Sequence, residues 1–261
     1  MIATDRPELG LTPGWMNAAG AFGFALPAEW PPLLNAPAAF VTNPISYAPR
    51  SYAAERGCSV YPGGFILHTG WPNPGFRKVL KHYAPRWARA SVPVWVHLLA
   101  DQPHEVDRMV RVLEETDGAA AVEISLPPIA GDDLKLQLVA AALGELPLVL
   151  CVPLDQAVAA WVGRAAQAGV SAIVLSAPRG VTPNPGGGFT RGRIYGPGLL
   201  PLALQTLSCL RDYEIPLIAG CGVYDQKSMD SLMTAGAAAV QLDAVLWRGW
   251  ENPESNRVQA R

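Results

Sequence analysis

The feature that most constrains this chain is a succession of short runs that are apolar on both faces. From about residue 90 onward they read VPVWVHLL (92–99), AAAVEIS (119–125), LPLVLCV (146–152), SAIVLSA (171–177), IPLIAGC (215–221) and AAVQLDA (238–244). A strand wet on one side alternates apolar and polar residues, so runs without alternation predict parallel strands covered on both faces. Between them lie segments 104–118, 132–145 and 155–170, whose apolar residues recur at i, i+3 and i+4, the spacing of crossover helices. Residues 14–20 (GWMNAAG) and 39–45 (AFVTNPI) supply two further strands. Eight β/α units in 261 residues predict an α/β protein, a (β/α)8 TIM barrel spanning 1–261 as a single domain; a doubly wound open sheet is the alternative. Residues 46–75 carry no helix pattern and predict a hairpin inserted over the barrel mouth, and 249–261 read as a polar tail. In a barrel, function sits on the loops that follow the strands.

Composition narrows the function classes. Half the residues are hydrophobic, 16% are charged and mean hydropathy is +0.16, which excludes disorder. The formal net charge is −2 without a block of like charges, so nucleic-acid binding has no electrostatic footprint. The start, MIATDRPELG, carries charges where a signal peptide has its apolar core, and no run of about 18 apolar residues escapes Pro or charge. A cytoplasmic protein without a membrane partner is the expectation. Cys58, Cys151, Cys209 and Cys221 are scattered and predict thiols, and no paired-cysteine metal motif occurs.

Nine blocks carry a further signal: MNAAGAFGF (16–24), TNPISYAPR (42–50), GGFILHTGWPNPG (63–75), PVWVHLLAD (93–101), VEISLPP (122–128), PLVLCVP (147–153), IYGPGLLPLAL (194–204), PLIAGCGVY (216–224) and AGAAAVQLDAVL (235–246). In their order and spacing they resemble the dihydroorotate dehydrogenase family. The resemblance implies an FMN-dependent barrel oxidoreductase of pyrimidine metabolism, in which the flavin takes a hydride while a cysteine or serine removes a proton. It also implies a small-molecule ligand at the barrel mouth and a homodimer, or a hetero-complex with a partner subunit. Ala19, Gly20, Asn43, Ser176, Gly196 and Gly222 fall at its flavin-contact positions.

Departures from the pattern fall on the chemistry. Asn43 stands for the second-strand lysine, Leu67 for the hairpin asparagine that contacts orotate, His97 for the third-strand asparagine and Cys151 for the fifth-strand lysine; Gly70, Asn73 and Gly75 persist. The motif that holds the base and two orotate-binding asparagines reads Glu123, Ile124, Ser125, Leu126, Pro127, Pro128, and leucine cannot take a proton. At the phosphate end stand Cys221, Gly222 and Val223, then Asp243, Ala244 and Val245, where a carboxylate opposes a phosphate dianion. Each buried polar group left unpaired costs about 1–3 kcal/mol, so the resemblance implies an activity altered or lost and a protein that holds little FMN or none.

The replacements offer other chemistry. His97, Glu123 and Cys151 end three adjacent strands and are the catalytic candidates: together they could ligate zinc, or form a thiolate activated by imidazole and oriented by carboxylate. The alternative is that they fill a vacated flavin pocket, with Glu123 and His97 satisfying each other. The loop 178–198 carries a Gly run with Arg179, Arg191 and Arg193, either a lid that clamps an anion or a solvated loop. Trp71 and Phe76 either cover a planar ligand or pack the hairpin. Three functions therefore stand at this point: the family's flavin-dependent oxidation, a non-catalytic or regulatory barrel acting through protein interaction, and a flavin-free enzyme using Cys, His and Glu.

Overall fold

Eight parallel strands close on themselves in the computed structural model, which describes residues 7–31, 35–183 and 187–249. The chain begins with β1 (Trp15–Asn17) and β2 (Phe40–Val41), then a hairpin of β3 (Gly57–Tyr61) and β4 (Gly64–His68), then α1 (Phe76–Trp87). Next come β5 (Val94–Leu99), α2 (Pro103–Glu114), β6 (Ala119–Ser125), α3 (Asp132–Ala142), β7 (Leu148–Pro153), α4 (Ala160–Gln167) and β8 (Ala172–Ser176). A second hairpin, β9 (Arg179–Pro183) and β10 (Phe189–Tyr195), precedes α5 (Leu200–Leu210), β11 (Leu217–Gly220), α6 (Gln226–Thr234), β12 (Ala239–Leu242) and α7 (Ala244–Arg248).

The large sheet runs β1, β12, β11, β8, β7, β6, β5, β2, every pairing parallel. A parallel bridge between Met16 and Ala39 joins its two ends. This is the (β/α)8 barrel, with one departure from eight full units: among the described residues no helix lies between β1 and β2. The physical reason is in the sequence there, where Gly20, Gly23, Pro27, Pro31 and their neighbours break any helical period. Phe22 and Trp30 cover that end of the barrel instead, with the Trp30 ring edge-on to Trp15 at 5.9 Å.

Alternation along each strand separates two cores. Outward-facing Val96, Leu98, Val122, Ile124, Leu150, Ile173 and Leu175 pack under the helices. On α2 the stripe Val106, Met109, Val110 and Leu113 meets them, and Pro103 starts the helix where a missing N–H costs nothing. Burying each such side chain is worth about 1.5–3 kcal/mol. Inward-facing Met16, Val41, Trp95, Val149, Val174 and Ile218 fill the barrel floor. With both faces covered, these strands need no polar face, which is why they read as continuous apolar runs.

The mouth is roofed by an antiparallel sheet ordered β3, β4, β10, β9. The hairpin β3–β4 lies within 46–75. The solvated-loop alternative for 178–198 does not hold: the segment forms a hairpin of its own, in register with β4 through Leu67 and Arg193. Gly192 makes this approach possible, since a Cβ there would sit 2.3 Å from the Leu67 carbonyl oxygen. Phe65 stacks on Tyr195 at 5.0 Å across the same pairing. Of the expected tail, all but Gly249 lies outside the described residues.

Candidate functional site

One layer above the apolar floor, the inward positions of the barrel turn polar. His97 on β5 and Glu123 on β6 are register partners, and strand geometry points both side chains inward. His97 Nδ1 meets Glu123 Oε1 at 2.6 Å. From the far side of the barrel, Gln241 on β12 donates its Nε2 to Glu123 Oε2, also at 2.6 Å. Both carboxylate oxygens are thereby engaged, and none of the three residues is more than 3% exposed. His97 also lines the cavity at the inner end of the mouth. Its Nε2 is buried and has no hydrogen-bond partner.

Cys151 lies beside this pair without joining it. Burial pushes its thiol pKa up, and the Glu123 carboxylate adds to the shift. Because His97 Nε2 has no partner, the imidazole does not reach the sulfur to activate it. Among the described residues no three His, Cys, Asp or Glu side chains converge as metal ligands. The geometry therefore assembles neither the thiolate–imidazole pair nor the zinc set that sequence spacing allowed. The Ser125 and Ser176 hydroxyls, both buried, flank the thiol and partly offset its shift.

Three chambers open at the mouth and meet at Trp71 and Arg193. The innermost is bounded by His97, Glu123, Cys151, Ser176, Gln241 and Asp243 and measures about 20 Å³, room for one water. A second, of about 250 Å³, is lined by Ser125, Leu126, Lys135, Cys151, Trp161 and Arg179 among others. The third, about 280 Å³, lies against Gly20, Asn43, Leu67, His68, Tyr195 and Trp247. The Arg193 guanidinium stands over the Trp71 ring at 4.9 Å, so this pair partitions the mouth.

The residues at flavin-contact positions divide. Ala19, Gly20, Asn43 and Ser176 line one or more of the chambers. Gly20 does so by lacking a side chain: a Cβ would stand 2.9 Å from the Trp71 ring. Asn43 ties the loop after β1, accepting from the Gly23 N–H at 3.0 Å. Gly196 and Gly222 line none of the three; they allow close backbone packing, against Gly63 and against Leu199 and Leu200 respectively. Phe76 is buried in the outer core at the start of α1, so only Trp71 of the two aromatics faces the mouth. Sequence reasoning gave no role to Gln241 or Lys135. A lone glutamine inside the run AAVQLDA was the available signal for the first.

At the ends of β11 and β12 the mouth is closed by its own groups. Asp243 Oδ1 accepts the Ala244 N–H and caps α7. Burial pushes its carboxyl up to about 7, against the lowering effects of that bond and of Arg193. Cys221 is buried beside it, its thiol pushed up by burial and by Asp243. Burial likewise raises Tyr195 to about 12.

No profile of a known protein family matches the chain. It is 26% identical over 250 aligned positions to the catalytic subunit of dihydroorotate dehydrogenase B (NAD(+)) of Desulforudis audaxviator, covering 86% of this chain and 80% of that one. Identity to dihydroorotate dehydrogenase A (fumarate) of Limosilactobacillus reuteri is 25% over 267 positions, covering 93% and 86%. A crystal structure of DHODH from Eimeria tenella in complex with ferulenol superposes with a TM-score of 0.65 at 13% identity, over 94% of this chain and 82% of that one. The last likeness is one of fold.

The FMN that the resemblance implies can be tested against these residues. A phosphate at the ends of β11 and β12 would need free amide donors, and the Ala244 N–H is already taken by the Asp243 carboxylate. The buried acid itself supplies no amide donor there, and the chamber next to it holds about 20 Å³. The residues at the ends of β11 and β12 do not fit the phosphate of that group.

Proposed function

We propose that this chain, a distant and divergent relative of the dihydroorotate dehydrogenases, keeps their barrel as a small-molecule site but does not oxidise dihydroorotate through a bound flavin. The observation that carries this reading is the innermost chamber. At the inner end of the mouth, His97, Glu123, Gln241, Cys151 and Asp243 close around a space of about 20 Å³. The base position supports it as well, since Leu126 at the end of β6 offers no proton acceptor and the nearby Cys151 thiol is held protonated by burial. Among the described residues no helix is long and apolar enough to cross a membrane.

A second reading is favoured by one atom, His97 Nε2. A buried imidazole backed by a carboxylate, its second nitrogen buried without a hydrogen-bond partner, is the arrangement of a general base. Such a site would abstract or return a proton on a small ligand reaching the inner chamber, without flavin.

The test is direct. The purified protein is expected to show no flavin absorption band and no orotate formation from dihydroorotate when FMN is added. A flavin band near stoichiometric occupancy, or turnover of about 1 s⁻¹ or faster, would overturn the first reading. Exchange of an acidic ligand proton with solvent that disappears in His97→Gln would establish the second.

A further inference from the structure

Arg179 and Arg193 are direct register partners on the paired strands β9 and β10. Like charges placed opposite one another on a sheet destabilise it unless something negative lies between them. Among the described residues other arginines find carboxylates, Arg50 at Asp101 and Arg111 at Asp107, whereas no ion pair is formed by Arg179 or Arg193. Arg193 rests on the Trp71 face instead. Trp71 is itself fixed in the left-handed region at φ 56°, its carbonyl accepting from the buried Asn73 Nδ2 at 3.0 Å. A residue held in that conformation marks a place where the surroundings dictate the backbone.

Both arginines line the chamber of about 250 Å³. Its lining charges are Arg50, Arg179, Arg193 and Lys135 against Asp101, with Asp155 outside the lining but near enough to act on Arg179. Lys135 is 93% buried, with Nζ on Gln156 Oε1 at 3.0 Å and over the Trp161 ring at 4.8 Å; among the described residues its ion-pair partner is Asp132, at 3.7 Å. Ser125, 92% buried, lines the same chamber with its hydroxyl beside the Cys151 thiol, and adds a polar group to that wall. The remaining walls, among them Leu99, Leu126, Pro153 and Trp161, are apolar and suit an organic body.

We propose that the chamber between the mouth sheet and the ends of β6 and β7 binds a small phosphate monoester, its phosphate held by Arg179 and Arg193 and its organic part against the apolar wall. One carboxylate is satisfied by one guanidinium fork. Two forks side by side call for the three acceptor oxygens and double charge of a phosphate. The site uses none of the groups at the ends of β11 and β12, so it does not rest on the flavin-free reading, and absorbance of the same samples tests that reading separately.

Calorimetric titration of the full chain with phenyl phosphate, and with benzoate as the singly charged counterpart, tests the proposal. Phenyl phosphate is expected to bind at least about tenfold more tightly than benzoate, and Arg179→Gln to weaken it by about tenfold or more, the loss of a charge-assisted bond. Arg179 is exposed, so the variant is expected to fold; Arg179→Lys, which keeps the charge without the fork, weakens binding several-fold if the fork matters. Ser125→Ala is expected to cost a smaller factor in the same direction. Equal binding of the two probes overturns the phosphate assignment. Unchanged phenyl phosphate affinity in Arg179→Gln overturns the site.

Discussion

At the scale of single residues, the mouth is governed by what burial does to charge. Asp243 shows this most simply, because its carboxyl is buried and raised from 3.8 to about 7. Between those values the folded protein holds a proton that the unfolded chain has released. Stability contributed by this group is therefore present at low pH and lost as pH rises toward 7, by up to about 4 kcal/mol. Asp243→Asn keeps an oxygen to cap α7 and removes the titration. The variant is expected to gain stability relative to the parent as pH rises from about 4 to 7, measured by denaturant unfolding at several pH values. Parallel curves for the two proteins would show that the acid is not desolvated. At Glu123, His97 and Gln241 engage both carboxyl oxygens from two sides of the barrel.

At the scale of elements, the barrel strands were legible and the roof was only half so. Runs such as 119–125 and 171–177 match β6 and β8 closely because burial on both faces leaves a local signature in composition. The hairpin β9–β10 left none. Its residues mix Arg179, Val181, Arg191 and Arg193 with Gly and Thr, and what makes them a hairpin is their mutual pairing together with that of β10 on β4, more than 100 residues away. The arginines were visible in sequence; their register was not, and register is what sets them side by side. Likewise His97 and Glu123 were named from the strand ends, while Gln241 reaches them only because the sheet closes. The close approach at Gly192 makes the roof testable as a unit. Gly192→Ala forces a Cβ onto the Leu67 carbonyl and is expected to cost about 1–3 kcal/mol of local stability. Amide hydrogen exchange should speed up in β4 and β10 while β6 to β8 stay protected; uniform change throughout the barrel would mean that the roof is not a separate cooperative unit.

At the scale of the whole molecule, closure of the barrel rests on its shortest pairing. β1 has three residues and β2 two, and a single backbone bridge, Met16 to Ala39, joins them. The seam is completed by a side chain acting as backbone. Asn17 Oδ1 accepts the Val41 N–H at 3.0 Å, and Asn17 Nδ2 donates to the Val41 carbonyl at 2.6 Å, all of it buried. An amide carries one acceptor and one donor group, as a peptide unit does, so asparagine can stand in for a neighbouring strand residue where β1 has run out. Truncation to Asn17→Ala leaves a buried N–H and a buried carbonyl unpaired, each costing about 1–3 kcal/mol. The expected loss is about 2–4 kcal/mol, or roughly 5–15 °C in Tm for a domain of this size. Asn43→Ala provides the comparison, since it also removes an acceptor for a backbone N–H, that of Gly23, but in a half-buried loop at the mouth. If the seam depends on Asn17, its loss lowers Tm several times more than that of Asn43 and unfolding remains a single transition. Equal shifts for the two variants would mean that the barrel closes without the side chain.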